Sequence, residues 1–294
     1  MKLLYYPGCS LKTLAESFER SAFAAMAALG VELLELDRWN CCGTVSSLTA
    51  DDLMHQLAPI RNLIRVQEAG EERVVTLCAM CYNTLKRANL RVGQHPEELA
   101  KINAFLDEEP DYRGKVRVLH LLELLRDELG FAAIKERVVR PLTGLRVVPY
   151  YGCLLLRPRE VGLDDAENPR ILEDLIRALG AEPVDTPFKT QCCGSYHTTT
   201  HKEIVAKRAH RILSSASERG GEVLISSCPL CSFNLDNRQK IVRELYDGFA
   251  PLPVLYFTEL LALALGLDLE AWFSERHYVD PRPLLEEQRL IKKG

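Results

Sequence analysis

Asn40-Cys41-Cys42-Gly43 returns 151 residues later as Gln191-Cys192-Cys193-Gly194. Each tripeptide has the same company. Between Cys9 and the first pair lie 31 residues, and 35 lie between that pair and Cys78-Ala79-Met80-Cys81. Between Cys153 and the second pair lie 38 residues, and 34 lie between that pair and Cys228-Pro229-Leu230-Cys231. All ten cysteines are used, as C-x31-CC-x35-C-x2-C and C-x38-CC-x34-C-x2-C. A glycine precedes each leading cysteine (Gly8, Gly152) and follows each pair (Gly43, Gly194). Such a pattern, repeated in full, points to two sites that bind through sulfur.

The halves match beyond their cysteines. Tyr5-Tyr6-Pro7-Gly8-Cys9 answers Tyr150-Tyr151-Gly152-Cys153, and Leu29-Gly30-Val31-Glu32 answers Leu179-Gly180-Ala181-Glu182. The run Val118–Leu125 resembles Val254–Leu261. An insertion around Arg157–Pro169, rich in charge and broken by two prolines and a glycine, reads as a surface loop. The chain is thus expected to divide into 1–143 and 144–294, with a linker near Arg140–Gly144.

Short β-type runs are expected at Leu3–Tyr6, Val31–Leu36 and Arg73–Leu77, and again at Leu145–Tyr151, Pro183–Asp185 and Glu222–Ser226. Between them apolar spacing predicts helices over Leu14–Leu29, Asp51–Ala69 (with Pro59 a kink), Arg170–Leu179 and His201–Arg219. Both C-x-x-C pairs open further helical patterns, Tyr82–Leu90 and Ser232–Leu245. Alternating strand and helix argues for α/β architecture: two pseudo-symmetric domains with small parallel sheets, related by an approximate two-fold. Cys9, Cys78, Cys153 and Cys228 directly follow strands, where open α/β sheets bind ligands. The sites are therefore expected to face each other at the interface between halves.

At 294 residues, 47% hydrophobic and 27% charged, the composition is that of an ordinary globular protein. A net charge of −4 gives no support to a nucleic-acid partner. The N-terminal apolar run is too short for a secretory segment and reads as a strand. Leu252–Leu269 contains Glu259 and reads as a core helix, not a membrane span. A cytoplasmic setting follows, in which thiols stay reduced and cysteines signal metal or catalysis rather than disulfides.

Thiolates are soft ligands for zinc and iron–sulfur clusters. A tetrahedral zinc or a cubane cluster takes four and leaves the fifth of each set unexplained. Adjacent cysteines, with α-carbons about 3.8 Å apart, suit neighbouring irons or one bridging thiolate. Glycine beside each pair lets the backbone approach a cluster or adopt positive φ. Iron–sulfur ligation is the favoured reading. Zinc in one or both halves is the alternative; reduced core cysteines or vicinal disulfides are the blandest.

Through these residues the chain resembles the B-type subunit of heterodisulfide reductase and, more broadly, proteins with tandem Cys-Cys-Gly domains. The resemblance runs from Gly8-Cys9 to Phe257-Thr258-Glu259-Leu260-Leu261, nearly the whole length. It implies a non-cubane four-iron four-sulfur (4Fe-4S) cluster on Cys9, Cys41, Cys42, Cys78 and Cys81. A second would sit on Cys153, Cys192, Cys193, Cys228 and Cys231. The two would face each other and cleave, or form, a small disulfide, each accepting one sulfur. It also implies a ferredoxin-like iron–sulfur subunit and a flavoprotein subunit as partners. The sequence has no C-x2-C-x2-C-x3-C run and no G-x-G-x-x-G fingerprint of its own. Similar tandem domains serve in lactate, glycolate, glycerol-3-phosphate and succinate oxidation and in sulfur oxidation. A non-catalytic electron relay in such a complex is therefore the competing reading.

Other candidates are weaker. His197 and His201 lie four apart after the second Cys-Cys-Gly, where the first copy has Thr44-Val45-Ser46-Ser47; they read as polar lining of a cleft, with His197 cluster-adjacent. His120 reads as a satisfied core histidine in a helix pattern. Lys189, Lys202 and Arg238 could meet an anionic substrate, although most such residues are solvated.

Overall fold

The computed structural model describes residues 1–44, 53–268 and 277–292. Asp51, Asp52, Leu269 and Val45–Ser47 lie outside these. The first half builds a parallel sheet from β1 (Lys2–Tyr5), β2 (Glu32–Glu35), β3 (Arg73–Thr76) and β4 (Arg117–His120), in the order β2-β1-β3-β4. The second repeats it with β5 (Arg146–Tyr150), β6 (Glu182–Pro183), β7 (Val223–Ser226) and β8 (Val254–Tyr256), in the order β6-β5-β7-β8. β3 and β7 are buried almost throughout, as continuous Val/Ile/Leu runs in a parallel sheet require.

Chain direction reverses its progress across the sheet between β1 and β3, and between β5 and β7. A crevice opens at such a switch point, outside the carboxyl ends of the strands. Cys9 follows β1 and Cys78 follows β3; Cys153 follows β5 and Cys228 follows β7. Topology alone thus brings the leading cysteine of each set beside its C-x-x-C.

The helices are α1 (Glu16–Ala28), α2 (Leu57–Glu68), α3 (Ala79–Gln94) and α4 (Pro96–Phe105), then a short α5 (Leu121–Glu123) running on as a π-helix over Leu124–Leu129, and α6 (Phe131–Glu136). The second half adds α7 (Ile171–Ala178), α8 (Lys202–Glu218), α9 (Pro229–Asp236), α10 (Gln239–Leu245), α11 (Phe257–Ala264) and α12 (Arg282–Glu287). Each half lends its closing helix to the other. α11 packs on α1, where Phe18 stacks on Tyr256 at 4.2 Å between centroids and Ser21 shares a 2.6 Å hydroxyl hydrogen bond with Thr258. α6 packs reciprocally on α7. This exchange places the two sheets' carboxyl ends in contact.

Several sequence expectations are corrected. Val118–Leu125 is not a helix throughout: β4 occupies its start, so His120 ends a strand. Leu252–Leu269 likewise divides into β8 and α11. Eight-residue apolar runs do not distinguish a strand from a buried helix, and both closing strands escaped for that reason. Pro59 does not kink a helix; it sits in the first turn of α2, where its missing N–H has no partner to lose. Ser232–Leu245 is broken, with α9 ending at Asp236 and α10 starting at Gln239. The insertion is a surface loop, as expected, but an anchored one. Val161 and Leu163 are buried, and Asn83 of α3 donates to Leu154 O and Arg157 O, both at 2.7 Å, fastening it to the other half.

Candidate metal centre

Cys78 and Cys228 cap α3 and α9 in extended conformation, so the amide-bearing helix ends point at the site. Neither thiol is spent as a cap on its helix. Within the first set Cys41 Sγ lies 3.8 Å from Cys9 Sγ, and Cys81 hydrogen-bonds Cys42 and Cys78. In the second, Cys193 Sγ lies 3.4 Å from Cys231 Sγ, and Cys192 bonds Cys153 and Cys193. Each half therefore gathers its own five cysteines. The two sets also meet: the Cys78 and Cys228 thiols lie close enough to shift each other's ionisation, Cys78 upward and Cys228 downward, and Ala79 N–H donates to Ser227 O at 3.1 Å.

Such crowding opposes ionisation. Hydrogen bonds to Cys42 and then Cys78, together with burial, push the Cys81 thiol well up. Cys192 beside it, then burial, lift Cys193 to about 12 despite the hydrogen bond from Cys231. Five crowded thiolates, three of them buried in each set, cannot coexist without positive charge among them, which is what a metal group supplies. Among the described residues no three His, Cys, Asp or Glu side chains converge as one metal ion requires. The sulfurs approach in pairs, an arrangement suited to a group with several metal atoms.

Two further observations fit an iron–sulfur group. Thr76, Ser226 and Ser227 carry buried hydroxyls without hydrogen-bond partners, one or two residues before Cys78 and Cys228. Hydroxyls there can donate to cluster sulfur. The glycines leave room. Gly8 (φ +73°) has Cys81 Sγ only 2.8 Å from where a Cβ would lie, and Gly152 (φ +65°) has Cys231 Sγ at 3.3 Å. Gly43 and Gly194 also take positive φ, against Ala58 and Arg208.

A substitution pair separates these effects. Gly30 has φ +80° and nothing within 4 Å of its virtual Cβ, so Gly30→Ala carries only the left-handed strain, about 1–2 kcal/mol. Gly8→Ala adds the collision with Cys81 and is expected to lower the urea midpoint further. Equal midpoints would show that no sulfur has to move.

Some residues around the site were not anticipated. Tyr6 and Tyr150 hydroxyls donate to Asn40 O (2.8 Å) and Gln191 O (2.6 Å), fixing the peptide before each cysteine pair. Tyr6 and Tyr150 are each three residues before the leading cysteine, so Pro7 stands opposite Tyr151, and the second tyrosine of one copy does the work of the first in the other. Burial, then neighbouring sulfurs, hold both phenols far above their ordinary range, so they remain donors. Asn234 Nδ2 donates to Cys193 Sγ at 3.4 Å; at the equivalent point Thr84 bonds Thr44, which bonds Cys42. The signal was present in both: a polar residue three positions after the second cysteine of a C-x-x-C.

His197 is half-buried in a 3-10 turn, its ring 5.2 Å from that of exposed His201, and no hydrogen bond joins either to a cysteine among the described residues. His120 is fully buried with Nε2 2.8 Å from Leu77 O and Nδ1 accepting from Leu122 N–H. Burial outweighs that carbonyl and lowers its pKa to about 4, leaving a neutral ring. Lys189 is neither solvated nor free for a substrate: Glu173 (2.7 Å) and Asp185 (2.9 Å) hold it, as Glu19 and Glu35 hold Lys12.

Two cysteine sets at the carboxyl ends of two interlocked parallel sheets define an α/β protein with tandem thiol-rich sites. The cysteine-rich domain family, CCG, matches residues 3–86 and 147–236. The B-type subunit of the ferredoxin:CoB-CoM heterodisulfide reductase of Methanosarcina mazei is 30% identical over 100% of this chain and 99% of its own. The 8-methylmenaquinol:fumarate reductase membrane anchor subunit of Wolinella succinogenes is 29% identical over 95% and 98%. A hypothetical protein of Helicobacter pylori shares the fold, with TM-score 0.76 at 11% identity; the match covers 94% of this chain and 51% of that one. The chain belongs to the cysteine-rich domain family, within its group of heterodisulfide reductase B-type subunits. Among the described residues no helix is long and apolar enough to cross a membrane.

Proposed function

We propose that this chain is the iron–sulfur subunit of an oxidoreductase complex that reduces, or in reverse forms, a small disulfide. The halves 1–143 and 144–294 would each hold a non-cubane 4Fe-4S cluster on their own five cysteines. The observation that carries the reading is the pairing of two complete thiol sets whose C-x-x-C elements meet at Cys78 and Cys228. Facing clusters, when bound, supply two one-electron transfers and a sulfur-binding position on each side of the substrate. The balanced reaction is RS–SR′ + 2 e⁻ + 2 H⁺ → RSH + R′SH, with electrons from a ferredoxin-like or flavoprotein partner.

The chain's own residues supply position and field. Tyr6 and Tyr150 hold the paired cysteines, Asn234 and the Thr44–Thr84 pair orient one sulfur each, and the capped ends of α3 and α9 favour negative charge. Buried Cys78, Cys81, Cys228 and Cys231 keep water from the junction. A cytoplasmic setting, with thiols reduced, fits this chemistry. A second reading, electron relay in a quinone-linked complex, is favoured by the Wolinella relative. Adding small thiols to oxidised, cluster-replete protein under anaerobic conditions decides between them. Disulfide chemistry changes the paramagnetic spectrum on thiol addition. An unchanged spectrum, with rapid transfer to a quinone-linked partner, establishes the relay.

A further inference from the structure

The two thiol sets share one sequence pattern, yet their neighbours donate to them differently. Three positions beyond each C-x-x-C the first half has Thr84 and the second has Asn234. Asn234 is fully buried. Its amide carries two N–H bonds and both have acceptors, Cys193 Sγ at 3.4 Å and Thr198 Oγ1 at 3.0 Å. Thr198 directs its own proton to Ser195 O at 2.8 Å, which leaves its oxygen to accept from the amide. Cys193 therefore faces a fixed donor whatever its own charge.

The first half has hydroxyls instead. Thr84 Oγ1 lies 2.9 Å from Met80 O and 2.5 Å from Thr44 Oγ1, which lies 3.1 Å from Cys42 Sγ. These three links share two hydroxyl protons, and the carbonyl can only accept. A thiol at Cys42 completes the chain by donating to Thr44. A thiolate cannot, and it gains a donor only when Thr84 turns away from Met80 O.

Backbone donors do not separate the halves: Thr44 N–H favours charge on Cys42, and Gly194 N–H donates to Cys192 Sγ at 3.3 Å. One more hydroxyl does. Ser227, 1% exposed and without a hydrogen-bond partner, stands where the first half has Leu77. Water reaches the exposed Cys9 and Cys41 and favours charge on the first set, but mobile water at an exposed edge counts for less than a fixed dipole in a buried site.

A group that gains an electron gains negative charge, which fixed donors stabilise without reorienting. We propose that Asn234, supported by Ser227, gives the second set the higher reduction potential, so that of two groups held alike by five cysteines the second-half one is reduced first. Asn234 is a positioning residue in this role, acting through Cys193. One electron arrives from the iron–sulfur partner, which is oxidised by one, and no bond is made or broken. The proposal rests on the iron–sulfur reading and orders the two one-electron events that cleaving a disulfide needs.

Titration of the full, cluster-replete chain with dithionite and mediator dyes, followed by its paramagnetic spectrum, tests it. Two distinct midpoints are expected. Asn234→Thr, which installs the first half's residue, is expected to lower the higher midpoint by about 59 mV, a tenfold change in a one-electron constant, and to leave the lower one in place. Thr44→Val is expected to change the constant of the lower step by no more than about twofold, because its hydroxyl has no proton to spare for Cys42. Ser227→Ala removes an atom without a partner, so the cluster-free chain should keep its urea midpoint while the higher redox midpoint falls; this variant serves if Asn234→Thr does not fold. Coincident midpoints in the parent, or a higher midpoint that neither Asn234→Thr nor Ser227→Ala moves, overturn the proposal. So does a Thr44→Val shift as large as that of Asn234→Thr. A chain without acid-labile sulfide overturns the iron–sulfur reading itself, and sulfide analysis reports that before any titration.

Discussion

Cys81→Ala and Cys231→Ala, each prepared anaerobically, are expected to keep about four irons of the parent's eight or so, and the double variant almost none. The expectation follows from how the sulfurs are partitioned. Cys81 bonds only to members of its own set, Cys42 and Cys78, and Cys231 lies 3.4 Å from Cys193. Each also sits under the glycine that precedes its leading cysteine, so removing the sulfur vacates space inside one half. Iron and acid-labile sulfide should fall together. One zinc per half with no labile sulfide would sink the iron–sulfur assignment. Loss of all iron from a single variant would mean that the Cys78–Cys228 contact makes one shared centre, which rules out two facing clusters.

Much of this site was legible because cysteine spacing is insensitive to packing detail. The two C-x-x-C elements and the Cys-Cys-Gly tripeptides are covalent neighbours, and strand-end placement followed from the alternation of short apolar runs with helical patterns. The closing strands were not legible. Val118–His120 and Val254–Tyr256 pass straight into α5 and α11, with no turn residue between, and the run is apolar in either conformation. The interlock of halves was hidden too. Nothing local says that Phe18 will stack on Tyr256, because that pairing is set by how α1 and α11 pack and not by sequence distance.

Charged residues were misjudged for a related reason. Lys189 looks like a loop lysine, and only the fold brings Glu173 and Asp185 to it. Arg238 looks equally ordinary, yet the break between α9 and α10 turns it back over Phe233 and into a cavity between the halves. Capping explains where the two closing glutamates went. Glu123 Oε2 accepts from His120 N–H at 2.9 Å and Glu259 Oε2 from Tyr256 N–H at 2.8 Å, tying each last strand to its helix.

The Glu259 cap leads to a large expected effect on stability. Its side chain is wholly buried, and His277 Nε2 lies 3.1 Å from Oε1 with its own side chain 3% exposed. Burial works against a charge on His277, but Glu259 beside it and Asp236 nearby outweigh burial and raise its pKa to about 9. Unfolded, the imidazole returns to about 6.5. A pKa raised on folding contributes stability that is complete below about pH 6.5 and is lost as pH rises through about 9, on the order of 3 kcal/mol in all. The equivalent cation in the first half is Lys86, 3.7 Å from Glu123, and burial lowers its pKa. It can add its own alkaline slope, so the comparison of variants carries the test. His277→Gln strands the buried Glu259 carboxylate and is expected to cost about 3–5 kcal/mol at pH 6. Urea midpoints between pH 6 and pH 10 should fall for the parent across that window and converge on those of His277→Gln at the alkaline end. Parallel profiles, with the same gap at pH 6 and pH 10, would show that His277 contributes by packing and not by charge.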